Sequence, residues 1–354
     1  VAPAEMIADS VGPVSRYVAV FGILVNTVFS NAAQFFVLGA LFSEVLGIPA
    51  YVTVLTMAGI IGFYLWTGGF ANVIKTDIVQ FFVIVILVAL PFMLPVSAEK
   101  LTDFGSVTSL GIDHFTYICV PMFVAYFTAF DLWQRIFSAK DDRSIRIGFP
   151  LGVVLAALLT LSFVFIGMSA SEMAPGADVN DLSSVVFSQA GDSPLVFSLI
   201  LVVLFAMGMS SVDTMTYGFT STVMRDILKI DIESNRGRYI RQTRLAMAGL
   251  LLFSCVLAVL FKDMMNVLLG FMGVFTVTLP IYLAAVFDWP GKSRVTDLLL
   301  SFSTLCGFCT FVYLFASGYF GQGFQYLPVP VLVTAVVAVA GVGGLVLPRK
   351  LKPE

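Results

Sequence analysis

Long apolar stretches recur along nearly the whole chain, parted by short polar connections. Runs of about 17 or more mostly apolar residues are long enough to cross the hydrocarbon core of a bilayer as helices. A transmembrane barrel would instead show alternating segments of about ten residues. The pattern predicts ten spans, at residues 15–45, 51–66, 76–96, 115–137, 145–169, 194–228, 241–261, 266–287, 297–320 and 328–347.

The basic residues test this division. If the N-terminal end faces the cytoplasm, 17 of the 19 Lys and Arg residues fall on the cytoplasmic side, and only Lys100 and Lys262 fall on the other. Positively charged connections stay inside, and a missed or invented span would scramble such a bias. The long connection 171–193 has no Lys or Arg and falls outside, as the rule requires.

Composition agrees. Hydrophobic residues make up 59% of the 354 and charged residues 12%, against about 25% charged in soluble chains. The net charge of −3 gives no basic surface for nucleic acid. Cys119, Cys255, Cys306 and Cys309 all lie in apolar runs. The CxxC formed by Cys306 and Cys309 reads as small-residue helix packing rather than a metal or redox site. His114, the only histidine, stands in a polar connection with no second ligand beside it. No nucleophile–base pair or metal cluster is visible, which argues against a membrane enzyme. The opening VAPAEMIADS has neither the basic start nor the apolar stretch of a signal peptide. The expectation is that a segment preceding Val1 is missing.

Polar groups at membrane depth are costly, about 2.5–3.5 kcal/mol for an Asp at a helix centre, and mark function. The sixth span holds the densest set, in AMGMSSVDTMTYGFTST. Ser210, Asp213, Thr214, Tyr217 and Ser221 recur at three- and four-residue spacing, on one helical face. Hydroxyls with a carboxylate can replace the water around a small hard cation, which prefers oxygen ligands. Close helix packing would explain the hydroxyls alone, but not Asp213. A second cluster is GGFANVIKTDIVQ, residues 68–80. Gly68 and Gly69 are expected to end one helix, and Thr76 or Asp77 to cap the next. Gln80, one turn deeper, is not explained by that. A third is YFTAFDLWQRIFSAKDDR, residues 126–143, preceded by Pro121 in mid-span. Proline removes a helix hydrogen bond, and a break at this depth either lines a cavity, as in secondary transporters, or is a plain kink. Asn26, Asn31 and Gln34 are polar positions on the first span.

These clusters, in this order, resemble the sodium:solute symporter family, whose members carry sugars, proline, pantothenate and short carboxylates. GGFANVIKTDIVQ is similar to its glycine-pair and Thr-Asp-x-x-Gln signature, LWQRIFSAKDDR to its Gln-Arg segment, and MSSVDT with MRDILK to its ion-site helix. The resemblance covers the chain, most weakly after Trp289. It implies an all-α polytopic transmembrane helical bundle, the five-plus-five inverted-repeat transporter fold, here lacking its first helices. Residues 1–354 would form one transporter domain: 1–96 the end of the first repeat, 115–287 the second repeat, and 297–347 two appended helices. The setting implied is a bacterial cytoplasmic membrane, with the C-terminal end inside.

The resemblance also implies sodium as the coupling ion. Its conserved site matches the Ser210 and Ser211 hydroxyls and the Met207 carbonyl, with partner groups from a broken helix upstream of Val1. A further site in some members matches Asp77, Ser210, Asp213 and Thr214, except that Asp213 stands where those members carry a hydroxyl. Two carboxylates at low dielectric need a cation between them, or one holds a proton. The expectation is that Asp77 and Asp213 form a second cation site or a proton-binding pair. For a small-molecule solute, the resemblance points to Met122 and Tyr126, with Phe123 and Phe127 as neighbours and Asn31 and Gln34 facing them. The function implied is sodium-coupled symport of a small organic solute by alternating access. Proton-coupled symport remains an alternative, as does a transporter-like sensor, although no signalling domain is visible in the sequence.

Overall fold

A computed structural model describes residues 3–86, 111–173, 193–228, 236–289 and 291–350. Among them every regular element is helical. A short α1 (Pro3–Ser10) leads into α2 (Pro13–Leu46) and α3 (Ala50–Val85). Then come α4 (Gly111–Thr128), α5 (Phe130–Ser138) and α6 (Asp142–Met173). Helix α7 (Pro194–Thr222) runs into a π turn at Val223–Ile227. It is followed by α8 (Arg236–Leu260), α9 (Met264–Thr276) and α10 (Leu279–Phe287), and last by α11 (Arg294–Ala316) and α12 (Val329–Lys350).

Eight candidate membrane spans lie among the described residues, or nine if α4 and α5, bent by 45°, count as one. The chain is therefore a multi-pass helical membrane protein. Burial shows what solvates each helix. Two thirds of the apolar window of α2 is inside the protein, against 6% for that of α6. An apolar helix so little covered by protein has lipid as its solvent.

Helix α2 forms the centre and packs against α3, α7, α8, α9 and α11. Lipid tails are as apolar as leucine, so close van der Waals fit drives such packing, and small residues allow it. Gly208 of α7 is one such point, because a Cβ there would run into the Leu38 side chain of α2. Gly208→Val is expected to wedge α2 from α7 and cost about 1–3 kcal/mol, read as a lower thermal midpoint of the purified protein.

The first span begins where predicted, but its cap comes from far away. Gly12 offers no side-chain cap to α2. The Asp297 carboxylate of α11 accepts from Val14 N at 3.0 Å and Ser15 N at 2.6 Å, and the Ser15 hydroxyl donates to the Asp297 carbonyl at 3.1 Å. Asp297 is 3% exposed and occupies the space where a Cβ on Gly12 would sit. An ordinary cap starts α6: Asp141 Oδ1 accepts from Ser144 N at 2.7 Å and Ser144 Oγ at 2.6 Å. These bonds hold the Asp141 carboxyl below the ordinary range. A depressed carboxylate stabilises above its unfolded value and loses the effect as pH falls through its folded value. The cap therefore persists into acid.

One predicted helix boundary is corrected. Gly68–Gly69 does not end a helix, nor does Thr76 or Asp77 cap one: α3 is hydrogen-bonded through all 36 residues, and the Thr76 hydroxyl donates back to the Val73 carbonyl at 2.9 Å. A helical glycine costs only about 1 kcal/mol, which the packing of α3 on α2 and α7 offsets. Yet α3 is not straight. Tyr64 and Thr76 both reach the same Asp213 oxygen, while a straight helix would put their Cα atoms about 18 Å apart, further than the two side chains span. The helix bends between Tyr64 and Thr76, the stretch that holds the glycine pair, and does not end there.

Pro121 does not break the fourth span. The break is at Ala129, in extended conformation, where the indole of Trp133 donates to the freed Phe127 carbonyl at 2.7 Å. The eighth span divides at Val277–Thr278, with Pro280 in the first turn of α10. Residues 87–96 of the third span, Lys100, and residues 174–192 of the acidic connection lie outside the described residues.

Candidate functional site

The bend of α3 wraps the middle of α7. Asp213 is fully buried there. Its Oδ2 accepts from the Tyr64 hydroxyl at 2.6 Å and, at the long distance of 3.4 Å, from Thr76 Oγ1; Thr214 Oγ1 lies 3.4 Å from Oδ1. One turn back on α7, Ser210 Oγ donates to Asp77 Oδ1 at 3.0 Å. Ser211 Oγ donates to the Met207 carbonyl at 3.1 Å. The structure thus brings Asp77, Ser210, Asp213 and Thr214 into one α3–α7 seam, with Ser211 and Met207 on the same stretch of α7. Around the seam packs an apolar cluster that includes Leu65, Val73, Met209 and Val212. Such surroundings exclude water and strengthen every charge interaction within. Gln80 is buried at 7% exposure, and its Oε1 has no hydrogen-bond partner.

Tyr64 was not among the residues expected here. A tyrosine in an apolar span carries no periodic signal, and its partner Asp213 lies 149 positions away in the sequence. No group of three or more His, Cys, Asp or Glu side chains is placed to hold a metal ion among the described residues. The donor set of the seam is hydroxyls, carboxylates and a carbonyl, the hard oxygen chemistry of alkali and alkaline-earth cations.

A cavity of about 440 Å³ lies beside the α4–α5 break, between α4, α5, α7 and α9. That volume is in the range of small-molecule sites, about 300–1,000 Å³. Met122, Tyr126, Met215 and Phe275 form apolar walls, and Asp131 and Arg135 of α5 supply charge. Asp131 stands in the first turn of α5, where the helix dipole favours an anion, and its Oδ1 is buried without a hydrogen-bond partner. The other expected solute contacts lie elsewhere. Phe123 is 75% exposed. Phe127 packs edge-on against Trp133 with ring centroids 5.8 Å apart. Asn31 is buried and donates to Thr216 Oγ1 at 2.8 Å, and Gln34 is half-buried on α2. None of these four lines the cavity.

The two broken helices meet at the cavity. Thr128 Oγ1, at the end of α4, donates to the Phe275 carbonyl near the end of α9 at 2.6 Å. Discontinuous helices expose backbone groups at membrane depth only where protein or a cavity satisfies them. Trp133→Phe would strand the Phe127 carbonyl and is expected to cost about 1–3 kcal/mol, seen as a lower thermal midpoint. An unchanged midpoint would mean that the indole does not hold the break.

No curated protein matches the chain. The model of the sodium:solute symporter family, a family of transporters and not of enzymes, matches residues 5–290. That match takes in the α3–α7 seam and the α4–α5 break with its cavity, and the chain belongs to the sodium:solute symporter family.

Proposed function

We propose that the protein moves a small organic solute across the membrane by alternating access, driven by sodium. The observation that carries the reading is the α3–α7 seam, where two carboxylates and the hydroxyls of Tyr64, Thr76, Ser210 and Thr214 converge in an apolar surround. In this reading the Ser210 and Ser211 hydroxyls and the Met207 carbonyl serve one sodium ion, and Asp77, Asp213 and Thr214 a second cation. The solute occupies the cavity beside the α4–α5 break, against Met122 and Tyr126. The chain works as one transporter domain, with its basic connections and C-terminal end on the cytoplasmic side. A ligand shifts a conformational equilibrium only by its differential affinity for the two states. Sodium therefore has to bind one of the outward and inward states better.

The test is uptake by the intact protein in vesicles, across a panel of sugars, amino acids and carboxylates. Accumulation that requires an inward sodium gradient is expected for at least one class. Uptake indifferent to sodium at every pH would overturn the reading. A second reading, proton coupling, draws on the Asp77–Asp213 pair, since paired carboxylates bind a proton when they hold no cation. It predicts accumulation from a proton gradient with no sodium present.

A further inference from the structure

A second cavity, of about 280 Å³, opens between α3 and α8, away from the seam. Its walls are Gly59, Gly62, Phe63 and Trp66 of α3, and Arg244, Met247, Ala248 and Leu251 of α8. The two helices run antiparallel here: Arg244 lies over the Trp66 ring at 5.6 Å from its centroid, and Leu251 faces Gly62. The groove is therefore ordered from end to end. A cation and an indole stand at one end. About 10 Å deeper along each helix the lining becomes wholly apolar, with Met247 and Leu251 as a buried floor. It is open over Gly59, where a Cβ would meet nothing within 4 Å, and a Cβ on Gly62 would touch only Leu251.

We propose that this groove binds an anionic phospholipid, with its phosphate on Arg244 and one acyl chain laid over Gly59 and Gly62. The charge pattern selects this occupant. Arg236, Arg238, Arg241 and Arg244 all lie in the first turns of α8, and the described lining holds no carboxylate to neutralise Arg244. Arginine near a helix start and a tryptophan stacked beside it are interfacial groups, and basic pockets between membrane helices bind anionic headgroups. A free phosphate would meet one guanidinium and otherwise apolar walls. A lipid also fills the apolar end.

The test uses the intact protein in phosphatidylcholine vesicles containing a minor fraction of phosphatidylglycerol. Bromine is placed on the acyl chains of the phosphatidylglycerol in one arm, and on an equal amount of the phosphatidylcholine in the other. The signal is the tryptophan fluorescence component that Trp66→Phe removes. About fivefold preferential quenching by the anionic lipid is expected. Arg244→Gln should abolish the preference and Arg244→Lys should keep it, which separates charge from misfolding. Gly59→Leu should reduce quenching by the chain while inorganic phosphate in the buffer leaves it unchanged. Equal quenching by both lipids, a preference that survives Arg244→Gln, or competition by inorganic phosphate would each overturn the proposal. So would quenching by neither lipid, since the groove would then be covered by protein.

Discussion

Asp297→Ala is expected to destabilise the purified protein by about 3 kcal/mol. The carboxylate accepts from two backbone amides at the start of α2, at 2.6 and 3.0 Å, and hydrogen bonds to charged groups contribute about 1.5–3 kcal/mol each where buried. Alanine leaves both amides without this acceptor, that of Ser15 in a buried position and that of Val14 in a partly buried one. It also leaves α2 without a cap of its own, because Gly12 has no side chain to supply one. Asp297→Asn keeps one acceptor oxygen and should lose about half as much. The loss should be global, because α2 packs against six other helices and cannot fray at its start without loosening them. Thermal unfolding followed by tryptophan fluorescence measures it. A change of less than about 0.5 kcal/mol, the size of an ordinary surface substitution, would mean that α2 is held by packing alone.

The second large effect concerns Asp213. Asp213→Ser is expected to lower the number of cations carried per solute and to weaken the pH dependence of transport. A carboxylate that gains a proton no longer attracts a cation. In the native protein, apparent sodium affinity should therefore fall as pH falls, and in Asp213→Ser that slope should shrink. Tyr64→Phe keeps the charge but removes the 2.6 Å hydrogen bond that orients it, and should weaken apparent sodium affinity about tenfold with stoichiometry intact. Coupled flux of labelled sodium and solute, measured across a pH series, reads all three variants. If Asp213→Ser left both stoichiometry and pH dependence as they were, Asp213 would not belong to the coupling site.

Much of the fold was legible because the bilayer imposes one rule. Backbone polar groups in lipid must be satisfied within a helix, so each apolar run announced its own structure. Helices α2, α6, α7 and α8 begin and end within a few residues of the predicted spans. Ser210 and Asp213 were legible for a related reason, since polar groups at that depth are too costly to be incidental, whereas Asp77 entered the site only through the family resemblance. What local pattern could not reveal was decided by distant partners. The break at Ala129 needs neither glycine nor proline, because Trp133 supplies the missing donor. Pro121, the visible breaker, lies within α4, which continues through it. The Asp297 cap joins residues more than 280 positions apart, and Tyr64 meets Asp213 across 149 positions. The break before α10 did have a local signal in Pro280, at the start of the second half of its span.

The hydrogen bond from Thr128 to the Phe275 carbonyl has a mechanical consequence. It ties the elbow between α4 and α5 to the junction of α9 and α10, so the elbow does not flex without pulling on that junction. A molecule wedged against Met122 and Tyr126 would load both at once, and strain set up on one wall of the cavity would reach the opposite wall through a single strut.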